Sequence, residues 1–261
     1  MSVFLEEIHL QNFLSFGPEA KPVKLGKLNI LIGPNGSGKS NLLEAIGILS
    51  KAPTDMAAEI RKGGHVRDLF NKVSNAEAFH LSIVFSGFTE KLIKGNIHWS
   101  LRFIEDHNQP HITNEIIFTE NPLKTYSDQF NFFFKDETIS YYNYRSEDSL
   151  TDEYYDEIIT ESKAPTRKSF LAVYSDFYKS NPLDSISYFL ENTSQYREWQ
   201  FGRGSEQRKA QPTDLPNDFL LPDASNLALV LQELEFHPEN HNRFMQALQN
   251  LYPNITGYKV R

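Results

Sequence analysis

GPNGSGKSN, Gly33 to Asn41, decides how the rest of this chain is read. It meets the spacing G-x-x-x-x-G-K-[ST] through Gly33, Gly38, Lys39 and Ser40, with a further glycine at Gly36. Glycines in such a run let successive backbone N–H groups turn around one anion with no side chains in the way. A helix that begins where the loop ends adds its partial positive charge. The lysine reaches β- and γ-phosphates as a point charge, and the hydroxyl after it can take one position on Mg²⁺. Gly33, Pro34, Asn35, Gly36, Ser37, Gly38, Lys39, Ser40 and Asn41 are therefore the candidate phosphate-binding residues. Lys39 is the catalytic candidate among them and Ser40 the metal-ligating one.

The flanks supply the context that such a loop requires. Ile8 and Leu10 alternate with His9 and Gln11 as in a half-buried strand, and the continuous apolar run Ile30-Leu31-Ile32 predicts a strand buried on both faces. From Ser40 onward, Leu42, Leu43, Ile46 and Leu49 recur at helical spacing. Strand, glycine-rich loop and amphipathic helix follow one another, and a nucleotide phosphate is the ligand class they imply.

Beyond the loop helix, residues 51–74 read as a polar connection with a short helical piece and a turn at Lys62-Gly63-Gly64-His65. His80–Phe85, Ile97–Ile104 and Glu115–Phe118 are aromatic and β-branched runs separated by Gly, Asn and Pro, the pattern of an antiparallel meander. Glu147–Glu161 holds seven acids and no base, a solvated insert by composition. Ser169–Phe201 predicts a helix and then a strand ending near Trp199-Gln200-Phe201. Asp223 or Ser225 can cap a helix carrying Leu227, Val230, Leu231 and Leu234, and Pro238 can open a second with Phe244, Leu248 and Leu251. The expected divisions are a lobe over 1–144, the acidic insert over 145–168, and the remainder with its helical segment over 169–261.

Composition narrows the function classes. No run of the 261 residues approaches the ~20 apolar residues of a membrane-spanning helix, and the N-terminus lacks a basic, apolar leader. Zero cysteines exclude disulfides, thiolate zinc sites and cysteine nucleophiles, and fit a reducing, cytoplasmic setting. A net charge of −8 argues against a wholly polyanion-binding surface. The sequons at Asn192 and Asn254 carry no weight without export. His237 and His241 stand at i, i+4 spacing, but Glu239 is not where a zincin places its acid. Twelve tyrosines and twenty phenylalanines are expected to fill a core rather than stack on bases, since bases of basic character do not interleave them.

Ile8-His9-Leu10-Gln11-Asn12-Phe13-Leu14-Ser15-Phe16, followed by Leu28 to Ile46, resembles the N-terminal lobe of ABC-class ATPases of the RecF, SMC and OLD kind. Leu220-Leu221-Pro222-Asp223-Ala224-Ser225-Asn226-Leu227-Ala228 looks like a segment of the compact prokaryotic AAA ATPases of that group. The resemblance implies an α/β P-loop NTPase fold: an ABC-ATPase-like N-terminal lobe with a mixed or antiparallel sheet and an inserted or lid segment. It further implies ATP and Mg²⁺ as cofactors, held between two engaged heads of a homodimer, with Gly33–Asn41 on the triphosphate and Ser40 on Mg²⁺. Asn12, Phe13 and Ser15 would lie near the loop, toward base and ribose. DNA repair, chromosome maintenance and phage defence are the implied settings, with DNA and a nuclease as candidate partners. Relatives commonly carry a basic residue where this chain has Leu14; Arg61, Lys62 and Arg67 are the candidates to replace its phosphate contact.

Hydrolysis needs an acid on Mg²⁺ and another to position water, normally at the end of a buried apolar strand. No run of four apolar residues is followed by Asp-Glu; the nearest candidate is Phe170 to Asp176, where Phe177 replaces the glutamate. Gln200 is a candidate magnesium contact. No Leu-Ser-Gly-Gly type of signature is present, so the expectation is the N-terminal portion of a longer ATPase that binds ATP and by itself hardly hydrolyses it. Two other readings remain open at this level: a nucleotide-sensing adaptor that docks a nuclease or nucleic acid without hydrolysis, and a P-loop small-molecule kinase.

Overall fold

Alternation of apolar and polar residues over Ala78–Ser86 and Ile97–Ile104 turns one face of these strands into the core. The computed structural model describes residues 3–87, 95–119, 129–135, 138–144, 167–173, 182–197 and 202–260. It divides into two compact units, Met1–Thr193 and Ser194–Arg261.

In the first unit the strands are β1 (Phe4–Gln11), β2 (Val23–Lys24), β3 (Ala78–Ser86), β4 (Ile97–Asp106), β5 (Gln109–Thr119), β6 (Gln129–Lys135) and β7 (Thr138–Tyr144). They form a seven-stranded sheet in the order β2-β1-β3-β4-β5-β6-β7, antiparallel at every described pairing. From β3 to β7 each strand pairs with the next in sequence, the meander that the aromatic and β-branched runs predict. His107 and Asn108, both with positive φ (50° and 61°), make the two-residue turn between β4 and β5. That backbone matches the right-handed twist of the strands it joins.

Register aligns the buried side chains across strands. Phe79 faces Phe103, Leu81 faces Leu101, Ile83 faces Trp99 and Phe85 faces Ile97, while Ile8 and Leu10 of β1 face Ile83 and Leu81. All of these are buried, and burying each such side chain contributes roughly 1.5–3 kcal/mol. The intervening positions carry polar pairs such as Ser82 and Ser100, whose hydroxyls bond at 3.0 Å. Four helices are described beside the sheet: α1 (Lys39–Ser50), α2 (Met56–Lys62), α3 (Phe170–Val173) and α4 (Pro182–Glu191). Leu42, Ala45, Ile48 and Leu49 of α1, Met56 and Ile60 of α2, and Leu183, Ile186 and Leu190 of α4 join the same core. A single turn of 3-10 helix, Val66–Leu69, completes the connection back to β3.

Two expectations for this unit require correction. Ile30-Leu31-Ile32 is not a strand buried on both faces: it has no regular secondary structure, and Leu28, Ile30 and Ile32 are 84%, 78% and 91% exposed. A buried strand needs ladder partners for its N–H and C=O groups, and no described strand pairs with this run. Leu43, expected on the buried face of α1, is exposed, and Ala45 and Ile48 take the buried positions.

In the second unit α5 (Leu227–Glu235) and α6 (Pro238–Leu251) form a helical pair, with Pro238 opening α6 as its fixed φ favours. The cap of α5 is Asn226, not Asp223 or Ser225. The fully buried Asn226 side chain turns backward, accepting from Leu221 N–H at 2.9 Å and donating to the Pro216 and Phe219 carbonyls at 2.7 Å. Asp223 instead accepts from Ser225 N–H at 3.0 Å, a bond that holds its carboxyl below the usual range. The Tyr258 ring packs edge-on against Phe244, and its hydroxyl donates to the Leu231 carbonyl at 3.0 Å.

Candidate functional site

Gly38 caps α1 in a left-handed conformation, φ 92° and ψ 1°, and offers no side-chain acceptor to the first helical turn. Gly36 is also left-handed, φ 81°. Both conformations suit glycine because an added Cβ would crowd the backbone. At Gly38 space is short as well: a Cβ would lie 2.9 Å from Ser15 Oγ and 3.3 Å from the Phe16 ring. Among the described residues the backbone N–H groups of Gly36, Gly38 and Lys39 meet no acceptor. The loop from Gly33 to Ser37 is exposed. Unpaired N–H groups and the positive end of a 12-residue helix at an open surface fit the phosphates of a nucleotide.

Lys39 folds back over this loop. Its Nζ donates to the carbonyls of Gly33 and Pro34 at 2.8 Å each and to Ser37 Oγ at 3.1 Å. Three donors on one ammonium are thereby used within the loop, and each is exchangeable for a phosphate oxygen. Ser40 follows on the first turn of α1, the place that would let its hydroxyl meet Mg²⁺. Asn41 Nδ2 donates to Ser15 Oγ at 2.8 Å. The structure thus brings Gly33 to Asn41 and Ser15 together.

The segment between β1 and β2 arrives here through a strained turn. Asn12 (φ 55°) and Leu14 (φ 49°) are left-handed without being glycine, at a cost of roughly 1–2 kcal/mol each. Several bonds hold them there. Leu14 N–H donates to Leu69 O at 2.7 Å, Asn71 N–H donates to Asn12 O at 2.8 Å, and Asn71 Nδ2 donates to Leu14 O at 2.7 Å. His9 Nε2 with Ala20 O, at 2.7 Å, and Gln11 Nε2 with Pro18 O, at 3.0 Å, secure the far side. Phe13 is fully buried, its ring 5.4 Å from that of Phe79, which in turn stacks on Phe103. Its side chain faces the core rather than the loop opening, so it anchors the turn from beneath. Asn12 Oδ1 is enclosed without a partner among the described residues.

None of the three candidates to replace a base at Leu14 is without a carboxylate. Arg61 pairs with Asp55 at 3.7 Å, Lys62 with Glu59 at 2.9 Å and Arg67 with Glu105 at 2.7 Å. The Arg67 guanidinium holds the Glu105 carboxyl below its usual range. Leu14 itself packs partly buried against the core. Asp176, Gln200 and the acidic stretch Glu147–Glu161 lie outside the described residues. His237 approaches Glu233 at 3.3 Å and the His241 ring lies tilted beside that of Tyr258, so the two imidazoles have separate neighbours. No group of three or more metal-ligating side chains occurs among the described residues.

Two polar residues were missed by reading the sequence. Asn71 closes the strained turn from 57 positions beyond Leu14. Glu115, buried on β5, accepts from Trp99 Nε1 at 2.9 Å, Ser169 Oγ at 2.6 Å and Phe170 N–H at 2.8 Å. Burial pushes its carboxyl above the ordinary range, against the pull of those three donors. A glutamate with alternating apolar neighbours marks Glu115 weakly; nothing local marks Asn71.

Comparison with known proteins adds to this geometry. The AAA ATPase domain family matches residues 4–218. Two curated relatives, both named chromosome partition protein Smc, are similar over short stretches. That of Clostridium kluyveri is 41% identical over 46 residues, and that of Desulfitobacterium hafniense is 49% identical over 47. Each alignment covers 18% of this chain and 4% of the relative. A solved structure described as "Structural biochemistry of ATP-driven dimerization and DNA stimulated activation of SMC ATPases" aligns over 72% of this chain and 98% of its own. Its identity is 17% and its TM-score 0.30. No described helix is long and apolar enough to cross a membrane.

Proposed function

This chain belongs to the AAA ATPase domain family, and from that membership we propose that it binds ATP with Mg²⁺ at Gly33–Asn41. One observation carries the proposal. Left-handed Gly36 and Gly38 open onto the uncapped first turn of α1, with the Lys39 ammonium resting on the Gly33 and Pro34 carbonyls beside it. In the bound state the N–H groups of Gly36, Gly38 and Lys39 donate to phosphate oxygens, and Lys39 exchanges its carbonyl acceptors for the β- and γ-phosphates. Ser40 Oγ would supply a ligand to Mg²⁺, which when bound would neutralise phosphate charge. Asn12 and Ser15 shape the approach toward ribose and base, with Phe13 between them anchoring their turn to the core.

The larger role that we propose is that of one ATPase head, engaged by ATP with a second copy and released by hydrolysis. The chain spans 4% of the curated relatives it matches, so hydrolysis, partners and pathway belong to this proposal. The exposed Leu28, Ile30 and Ile32 beside the phosphate loop support completion of the site by further protein surface. A cytoplasmic role on DNA, in repair, chromosome maintenance or defence with a nuclease, is the reading that this membership favours. Titration calorimetry of the chain with MgATP and MgADP tests the binding step. Saturable binding that Lys39→Ala weakens is expected; no affinity, or affinity unchanged by Lys39→Ala, overturns it.

A further inference from the structure

We propose that Asn71 is a positioning residue for the nucleotide site, acting through the Asn12–Leu14 turn and Ser15 on the phosphate loop. The proposal rests on the reading of Gly33–Asn41 as a nucleotide loop and deepens it. Among the described residues Asn71 forms its hydrogen bonds with Asn12, Leu14, Val73 and Ser74 and none with that loop or α1. What it holds is the turn that delivers Ser15 to them.

Each polar group of Asn71 has one assignment. Its backbone N–H donates to Asn12 O at 2.8 Å and its Nδ2 donates to Leu14 O at 2.7 Å. Its Oδ1 accepts from Val73 N–H at 3.1 Å and Ser74 N–H at 2.9 Å. The amide therefore cannot be flipped without setting its NH₂ against two N–H donors. Only a short primary amide gives a donor to Leu14 and an acceptor to its own turn at once. Aspartate would keep the second function and place a carboxylate oxygen against the Leu14 carbonyl.

The turn needs this hold because Asn12 and Leu14 are left-handed non-glycine residues that leave that conformation when released. Leu14 is immediately followed by Ser15, whose Oγ accepts from Asn41 Nδ2 at 2.8 Å and lies 2.9 Å from where a Cβ on Gly38 would sit. Relaxation of Leu14 withdraws Ser15 from both, freeing the residue that sets the first helical N–H groups. Phe13, bridged to Phe70 and packed on Phe79, keeps the turn attached to the core while its exposed edge moves. The phosphate loop is thus set by a side chain on the connection before β3.

A double-mutant cycle on the full chain separates this role from simple stabilisation. MgATP affinity is measured by calorimetry for the unmutated chain, Asn71→Asp, Ser15→Ala and the pair, with amide resonances of Gly36 and Gly38 recorded without nucleotide. The expected result is about a 10-fold loss for Asn71→Asp, the size of one lost hydrogen bond. The double variant should be no weaker than the weaker single one, and both glycine resonances should shift in Asn71→Asp. Additive losses with unshifted glycine resonances overturn the proposal. Asn71→Ala removes the donor without adding a charge and carries the same measurements where Asn71→Asp does not fold. An unmutated chain without MgATP affinity overturns the nucleotide reading instead, and the glycine resonances still decide whether Asn71 sets the loop.

Discussion

Lys39 Nζ lies 2.8 Å from the carbonyl oxygen of Gly33, six residues earlier, and the same distance from that of Pro34, so the lysine closes the loop that it serves. Its ammonium is exposed, and the carbonyls compete for it with water as well as with phosphate. In the nucleotide complex proposed above, charged acceptors would replace these neutral ones.

Replacing this lysine tests that exchange. Lys39→Ala is expected to weaken MgATP by roughly 10–150-fold, from the ~1.5–3 kcal/mol of a charge-assisted hydrogen bond. The melting temperature of the nucleotide-free chain should stay nearly unchanged, because a half-buried side chain whose ammonium is bonded to exposed carbonyls contributes little. Calorimetry and a thermal melt on the same samples check both halves.

Gly38 tests the backbone. Gly38→Ala must hold a Cβ at φ 92°, with Ser15 Oγ only 2.9 Å away, so a loss of about 1–2 kcal/mol of stability is expected along with MgATP affinity. Gly17→Ala is the control: nothing lies within 4 Å of its added Cβ, and its effect should remain within about 0.5 kcal/mol. Denaturant titration of both variants gives the comparison.

Glu115 makes the stability of the first unit pH-dependent. Its folded carboxyl titrates above the ordinary value because burial disfavours the charge. Between the unfolded and folded values the folded state therefore binds more protons. By linkage its contribution to stability is present at low pH and falls as pH rises through that window. Glu115→Gln should flatten this part of the pH profile. Glu115→Ala, which leaves Trp99 Nε1, Ser169 Oγ and Phe170 N–H without their acceptor, should cost on the order of 3 kcal/mol. Urea midpoints across pH are the readout.

Exposure of Leu28, Ile30 and Ile32 has a solution consequence. An open β-branched run invites pairing with another chain. Ile30→Thr with Ile32→Lys should reduce concentration-dependent self-association in sedimentation velocity. It should leave the melting temperature of the chain nearly unchanged, since neither side chain is packed. A large loss of stability would show that the run is covered by this chain itself.

The sequence made the phosphate loop and the meander legible because their signals are local. Gly36, Gly38 and Lys39 define a backbone path and a charge within a few residues of one another, and Phe79, Leu81 and Ile83 alternate at the period of a strand. Ile30-Leu31-Ile32 carries an equally strong local signal, but burial of a strand depends on neighbours that an apolar run does not specify. The cap of α5 shows the opposite case: Asp223 and Ser225 have the right chemistry three residues and one residue too early, while Asn226 is chosen by bonds to Leu221, Pro216 and Phe219. Asn71 was illegible for a related reason. Its partners, Asn12 and Leu14, are distant in sequence, and positive φ at a leucine leaves no mark in composition.

The two-residue turn at His107–Asn108 bears on when the site comes into being. β4 and β5 close across it at almost no entropic cost, whereas β1 reaches β3 only after residues 12–77 have been looped out. The hairpin can condense while the phosphate loop is still unplaced, and β1 can detach from β3 without dissolving the hairpin. Amide protons of Ile97–Asp106 should accordingly outlast those of Phe4–Gln11 in native-state hydrogen exchange. A ligand that binds only the completed loop would slow exchange in β1 first, and so lock the last segment to arrive.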